Sequence, residues 1–202
     1  MIRLPRLYAI TDRRLAGGAP HEEIVARLCR GGAALIQMRE KDLPSGALLE
    51  AARAAVAAAR AAGARLIVND RADVAALAGA DGVHLGGEDL PAGAARLVLG
   101  PRIWIGVSTH GVEEAAAAGR LPVDYVALGP IFDTPHAAVR RAPLGLAALH
   151  EAAALCPRPL VAIGGMDPSR AREALAAGAA SVAVMGDLMT APDIAARVRD
   201  YP

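Results

Sequence analysis

The feature that most constrains this chain is an alternation repeated eight times: a short apolar run rich in Val, Ile and Leu, then an Ala-rich stretch of helical period. The runs predicted as strands are Leu7–Thr11, Ala34–Met38, Leu66–Asn69, Gly82–Leu85, Trp104–Val107, Tyr125–Leu128, Leu160–Ile163 and Ser181–Met185. Their near-continuous apolar character suits strands buried on both faces, hence a parallel sheet covered by helices. Between them, Ala51–Ala62 and Ala171–Gly178 read as helices, because Ala, Leu, Arg and Glu are strong formers and Gly63 and Gly178 supply stops. Eight such units can close on themselves and leave no exposed edge, which predicts an α/β fold in one domain over residues 1–202, a (β/α)8 barrel of the TIM type. The competing architecture, an open doubly wound sheet, would carry a glycine fingerprint after the first strand. Ile10-Thr11-Asp12-Arg13 has none.

At 202 residues the chain is near the low end of the barrel range, so its connections must be short. Hydrophobic residues make up 54% and charged residues 21%, enough for a sizeable core and unlike a disordered composition. Basic and acidic residues number 22 and 21, so no broad positive field is available for a nucleic-acid backbone or an anionic membrane, and neither partner is expected. The opening MIRLPRLYAITD lacks the apolar run of a signal peptide, and other apolar stretches are broken by Gly, Pro or charge, which points to the cytoplasm. Cys29 and Cys156 lie far apart in stretches of helical pattern, neither a metal-ligand spacing nor a disulfide framework. They are expected to be buried free thiols.

The basic residues are twenty-one Arg and a single Lys, Lys41, while Gln37 is the only Gln and Asn69 the only Asn. All three fall near predicted strand ends, where barrel enzymes carry their chemistry. Strand two ends Gln37-Met38-Arg39-Glu40-Lys41, and strand alternation places Gln37, Arg39 and Lys41 on a common side. A forked guanidinium and a movable ammonium beside a neutral amide suit a polyphosphate; the alternative is a solvated charge cluster with Glu40 and Asp42. Strand three ends Asn69-Asp70-Arg71 and strand four is followed by Gly86-Gly87-Glu88-Asp89. Asp70 and Asp89, on adjacent strand ends, could share Mg²⁺ with phosphate oxygens and waters, although each is equally readable as a helix N-cap. Ser108-Thr109-His110 follows strand five: Ser108 offers a substrate hydrogen bond, and His110 is read as a helix cap. His84, inside a strand, reads as a packed histidine. Gly164-Gly165 and Met185-Gly186 end strands seven and eight, where absent side chains let backbone N–H groups approach a phosphate; a tight left-handed turn would also need such glycines.

These segments resemble the bacterial thiamine-phosphate synthases and their sister thiazole tautomerases. The matching stretches are Tyr8 to Asp12, Gln37 to Lys41, Asn69 to Arg71, Asp81 to Pro91, Gly106 to His110, Gly129 to Phe132 and Ala162 to Met166, in order and spacing over nearly the whole chain. The resemblance implies a transferase: an aminopyrimidine methyl pyrophosphate loses pyrophosphate and a thiazole phosphate nitrogen captures the carbon. It further implies that Gln37, Arg39, Lys41 and Asn69 contact the pyrimidine pyrophosphate, with Lys41, Arg39 and Ser108 at the reacting centre. Asp70 and Asp89 would hold Mg²⁺ and Thr134 would touch pyrophosphate, while backbone groups around Gly165, Met185 and Gly186 would bind the thiazole phosphate.

Two departures stand out. The synthases usually continue the Gly-Pro-apolar-Phe stretch with Thr-x-Thr-Lys, whereas Thr134 is followed by Pro135-His136-Ala137, leaving His136, Arg140 or Arg141 to supply the cation. The family's usual Ser after strand eight is Gly186, followed by Asp187, a carboxylate that must point away from a bound phosphate, as a helix cap would. A thiazole tautomerase and a non-catalytic phosphate-binding relative are the other readings. The tautomerases carry a His where Pro130 follows Gly129. The ligands expected are small phosphorylated pyrimidines and thiazoles, and a homo-oligomer is compatible with the sequence.

Overall fold

A computed structural model describes residues 2–135 and 140–202. Eight parallel strands close into a barrel in chain order, β1 (Leu7–Ile10), β2 (Leu35–Met38), β3 (Arg65–Asn69), β4 (Gly82–Leu85), β5 (Trp104–Thr109), β6 (Tyr125–Leu128), β7 (Leu160–Ile163) and β8 (Ser181–Val184). Closure is made by β1 on β8, with Leu7, Tyr8 and Ala9 opposite Val182, Ala183 and Val184. Helices α1 (His21–Arg30), α2 (Ser45–Ala61), α3 (Ala72–Ala78), α4 (Ala92–Leu99), α5 (Val112–Ala118), α6 (Gly145–Leu155) and α7 (Pro168–Ala176) follow the first seven strands. The eighth position is divided between α8 (Gly186–Met189) and α9 (Ile194–Arg199). Among the described residues no helix is long and apolar enough to cross a membrane.

Strand alternation sorts the core into two layers. Leu7 and Ala9 of β1, Ile36 and Met38 of β2 and Val126 and Leu128 of β6 face outward into the layer beneath the helices. Tyr8 and Ile10, Leu35, Ile67, Tyr125, Val161 and Ala183 fill the barrel interior. Small residues make room for the large ones: a Cβ at Gly106 would run into the Tyr125 ring, so glycine there lets a tyrosine occupy the barrel centre.

The strand centres fall where the sequence places them, and the ends differ. β5 extends to Thr109, whose hydroxyl donates to Ala127 O at 2.9 Å and so continues the ladder on β6. α2 begins at Ser45, directly after Pro44, and α7 begins at Pro168, where the Asp167 carboxylate accepts from the Ser169 and Arg170 N–H groups. Cys29 and Cys156 are free, as expected, but half-buried rather than buried, because Cys29 sits near the end of α1 and Cys156 just past α6.

Candidate active site

At the C-terminal ends of the strands lies a cavity of about 620 Å³ lined from β1 around to β8. Gln37, Arg39, Lys41, Asn69, Asp70, Ser108, Thr134, Gly165, Met185 and Gly186 all border it, so residues scattered over 150 positions of sequence meet around one space. The three singleton residues, Gln37, Lys41 and Asn69, are among them. Asp89 stands behind this wall. Its Oδ2 accepts from the Gly86 N–H at 2.7 Å, and its carboxyl meets that of Asp70.

On the β2–β4 side the site is charged. Lys41 Nζ lies 3.1 Å from Asp70 Oδ2. Partial burial, followed by the like charge of Asp70, raises the Asp89 pKa, while the Gly86 N–H and Lys41 pull the other way. Neither carboxylate caps a helix: α3 is entered through Arg71 and α4 through Pro91, without a side-chain cap bond at either. Asp70 instead has φ 63°, a left-handed conformation that no other non-glycine among the described residues adopts. Its N–H donates to His84 O at 2.8 Å, which holds that conformation in place and aims the carboxylate at Lys41. Arg39 donates to Asp12 Oδ2 at 3.0 Å, and the Thr11 hydroxyl receives the Arg39 N–H at 3.1 Å, so the cationic turn is tied to β1. A buried His21 braces the same turn, with Nδ1 2.9 Å from Thr11 Oγ1 and Nε2 3.2 Å from Glu40 Oε2. The Asn69 Nδ2 group is buried beside the cavity with no hydrogen-bond partner among the described residues, an unmet donor in the wall of the site.

The floor of the cavity is a polar chain inside the barrel. Gln37 Nε2 donates to Tyr8 Oη at 2.9 Å, Tyr8 Oη meets Tyr125 Oη at 2.8 Å, Tyr125 Oη meets His84 Nδ1 at 3.1 Å, and His84 Nε2 meets Ser108 Oγ at 3.0 Å. Burial lowers the His84 pKa to about 4, against a smaller opposing pull from Asp70, so the ring is neutral at pH 7. His84 is thus the packed histidine expected, yet it also faces the cavity. His110 does not cap α5; its Nδ1 lies 2.7 Å from Gly129 O, tying the end of β5 to β6.

On the opposite side of the ring, β7 and β8 contribute glycines. Gly164 and Gly165 both have positive φ, and a Cβ at Gly165 would run into Asp133 O, so these glycines also serve the tight approach of the loop after β6. The first amides of α7 are already taken by Asp167, whereas Gly186 opens α8, whose first-turn N–H groups have no intrahelical acceptor. Asp187 is not a cap. Burial pushes its carboxyl up, but bonds from Arg197 (Nε 2.7 Å and Nη2 2.8 Å) and Tyr201 Oη (2.6 Å) outweigh it and hold the group ionised and paired. The carboxylate beside Gly186 is therefore neutralised by α9, a compensation invisible in a local motif. Arg141 and Arg170 also border the cavity. Arg170 was not anticipated; it packs over Phe132 and donates to Gly165 O at 2.8 Å. His136 lies outside the described residues, and Arg140 does not border the cavity. Among the described residues no group of three or more His, Cys, Asp or Glu side chains gathers as a ligand set.

A closed barrel that collects cations, paired carboxylates and glycine turns around one cavity at its strand C-termini falls in the class of (β/α)8 barrel enzymes. The family model described as thiamine monophosphate synthase matches residues 7–188. A thiamine-phosphate synthase of Anaeromyxobacter dehalogenans is 46% identical over 95% of this chain and 83% of its own length. One of Moorella thermoacetica is 43% identical over 96% and 92%. The solved thiamine phosphate pyrophosphorylase of Pyrococcus furiosus superposes with a TM-score of 0.88 at 36% identity, covering 96% of this chain and 92% of that one. The chain belongs to the thiamine monophosphate synthase family.

Proposed function

We propose that the protein joins an aminopyrimidine methyl pyrophosphate to a thiazole phosphate, releasing pyrophosphate and forming thiamine phosphate. The observation that carries this reading is the shared corner of Lys41, Asp70 and Asp89 beside the Asn69 amide, which has no partner among the described residues, set across the barrel from the glycine turns of β7 and β8. One side suits a doubly phosphorylated leaving group and the other a phosphate monoester. In the reaction the bond from methylene carbon to pyrophosphate oxygen breaks with its electron pair leaving on pyrophosphate. The thiazole nitrogen then donates its lone pair to the carbon. Electron donation from the aminopyrimidine stabilises the cation between these events, so the protein's task is to position the partners and to neutralise the departing charge.

Lys41 and Arg39 supply that positive charge, Lys41 as a half-exposed ammonium on a long stem, paired with Asp70, and Arg39 as a guanidinium anchored on Asp12. Asn69 donates its buried amide to a phosphoryl oxygen. Gln37 and Ser108 hold the pyrimidine, Thr134 borders the pyrophosphate, and Arg141 takes the place of the cation that the loop after Thr134 lacks. Gly165, Met185 and Gly186 present backbone to the thiazole phosphate. Asp70 and Asp89 fit a hard divalent cation: two carboxylates in contact, with one proton affinity raised by the other, are stabilised by a shared positive ion. Mg²⁺ held there would neutralise the pyrophosphate. The free thiols Cys29 and Cys156 suit a reducing compartment, the cytoplasm. The test is direct: purified protein with both phosphorylated substrates and Mg²⁺ yields thiamine phosphate. Absence of that product, or metal-free turnover of a carboxythiazole phosphate tautomer instead, refutes the reading.

A further inference from the structure

The chain of bonds across the barrel has a direction, and its direction decides what Ser108 can offer a ligand. A primary amide nitrogen only donates, so Tyr8 Oη accepts from Gln37 Nε2. Tyr8 and Tyr125 are 1% and 0% exposed, so no bulk water completes their bonding. The Tyr8 proton then goes to Tyr125 Oη, and the Tyr125 proton to His84 Nδ1. With Nδ1 accepting, the His84 proton sits on Nε2 and is donated to Ser108 Oγ, which leaves the Ser108 proton for the cavity. A ring protonated on both nitrogens would leave the Tyr125 proton without an acceptor in a fully buried position. The opposite direction requires the Gln37 carboxamide to turn and present its oxygen to Tyr8.

We propose that Tyr8, Tyr125 and His84 are positioning residues that transmit the orientation of the Gln37 carboxamide to Ser108, fixing Ser108 as a donor and Gln37 as an acceptor toward the bound ring. The ligand must accordingly present a lone-pair atom at Ser108 and an N–H at Gln37, as a heteroaromatic ring nitrogen and a neighbouring exocyclic amine do. The donor and acceptor demand on the ligand rests on the site reading above; the direction of the chain does not.

Nitrogen-15 NMR of the histidine side chains in the ligand-free protein tests the direction without any reaction. The expected result is His84 protonated on Nε2 alone, and protonation on Nδ1 alone overturns the proposal. In Gln37→Glu, read at a pH where infrared absorption shows the introduced carboxyl to be ionised, the carboxylate can only accept from Tyr8, so the chain reverses and the His84 proton moves to Nδ1. An unmoved proton shows that Gln37 does not command the chain and likewise overturns it. If the protein turns over the pyrimidine pyrophosphate, Tyr125→Phe raises its KM about tenfold, the effect of one hydrogen bond. In a Ser108→Ala background the same substitution has no further effect, because the chain acts only through that hydroxyl. An undiminished second effect means that Tyr125 supports the fold rather than Ser108. Failure of turnover with the expected His84 tautomer would sink the activity and leave the hydrogen-bond direction standing.

Discussion

Acid should unfold this barrel through its centre. His84 is locked between Tyr125 and Ser108 with its pKa lowered from 6.5 to about 4 by burial. In the unfolded chain the imidazole takes up a proton below pH 6.5, while in the folded barrel it resists protonation down to about pH 4. The unfolded state therefore binds more protons across that window, and the stability conferred by the neutral ring, fully present above pH 6.5, is lost as pH falls toward 4. At about 1.4 kcal/mol per pH unit the loss amounts to about 3 kcal/mol, a large share of the ~5–15 kcal/mol that keeps a typical domain folded. His21 is also held below its ordinary value by burial and acts in the same sense, so the His84 share must be isolated. Urea unfolding of the wild type and of His84→Gln at half-unit steps from pH 7 to pH 4 does this, because the variant lacks that one proton. The stability difference between the two proteins should shrink by about 3 kcal/mol as the solution is acidified. A difference that stays constant over the whole window would show that the ring is protonated as easily inside the barrel as outside it.

Three further outcomes follow from the site. Asp89→Ala should abolish Mg²⁺-dependent turnover while circular dichroism and thermal unfolding report an intact barrel, since the residue packs behind the wall and caps no helix. Arg197→Met should expose Asp187 beside the Gly186 turn and raise KM for the thiazole phosphate about tenfold or more, with recovery in the Arg197→Met, Asp187→Asn double variant. Arg141→Ala should weaken pyrimidine pyrophosphate binding about tenfold, measured as KM, and leave KM for the thiazole phosphate unchanged.

Much of this arrangement is written into local sequence, because a barrel strand of period two leaves few choices. Once Ala34–Met38 reads as a strand, alternation turns Gln37 into the barrel, and Arg39 and Lys41, on the turn that follows β2, border the same cavity. The early starts of α2 and α7 were obscured: Gly46 interrupts the first turn of α2, and the Asp167-Pro168 entry to α7 lies ahead of its Ala-rich part. What local pattern cannot carry is pairing across the ring. Tyr8 and Tyr125 look like ordinary apolar strand residues until the closed barrel brings their hydroxyls within 2.8 Å. Asp187 reads as a defect in a phosphate site until Arg197 of α9 and Tyr201 just past it arrive to absorb its charge. Asp70 gains its meaning from a backbone conformation, φ 63°, that its identity permits without announcing.

The central claim is that carboxylates and cations in one corner of the barrel act together on a departing pyrophosphate. Isothermal calorimetry of pyrophosphate binding to the wild-type protein, with and without Mg²⁺, addresses it most directly. Tight binding that requires Mg²⁺ and disappears in Asp70→Asn is the result predicted here. Equal affinity with and without the metal, or affinity unaffected by removal of the Asp70 charge, would contradict it.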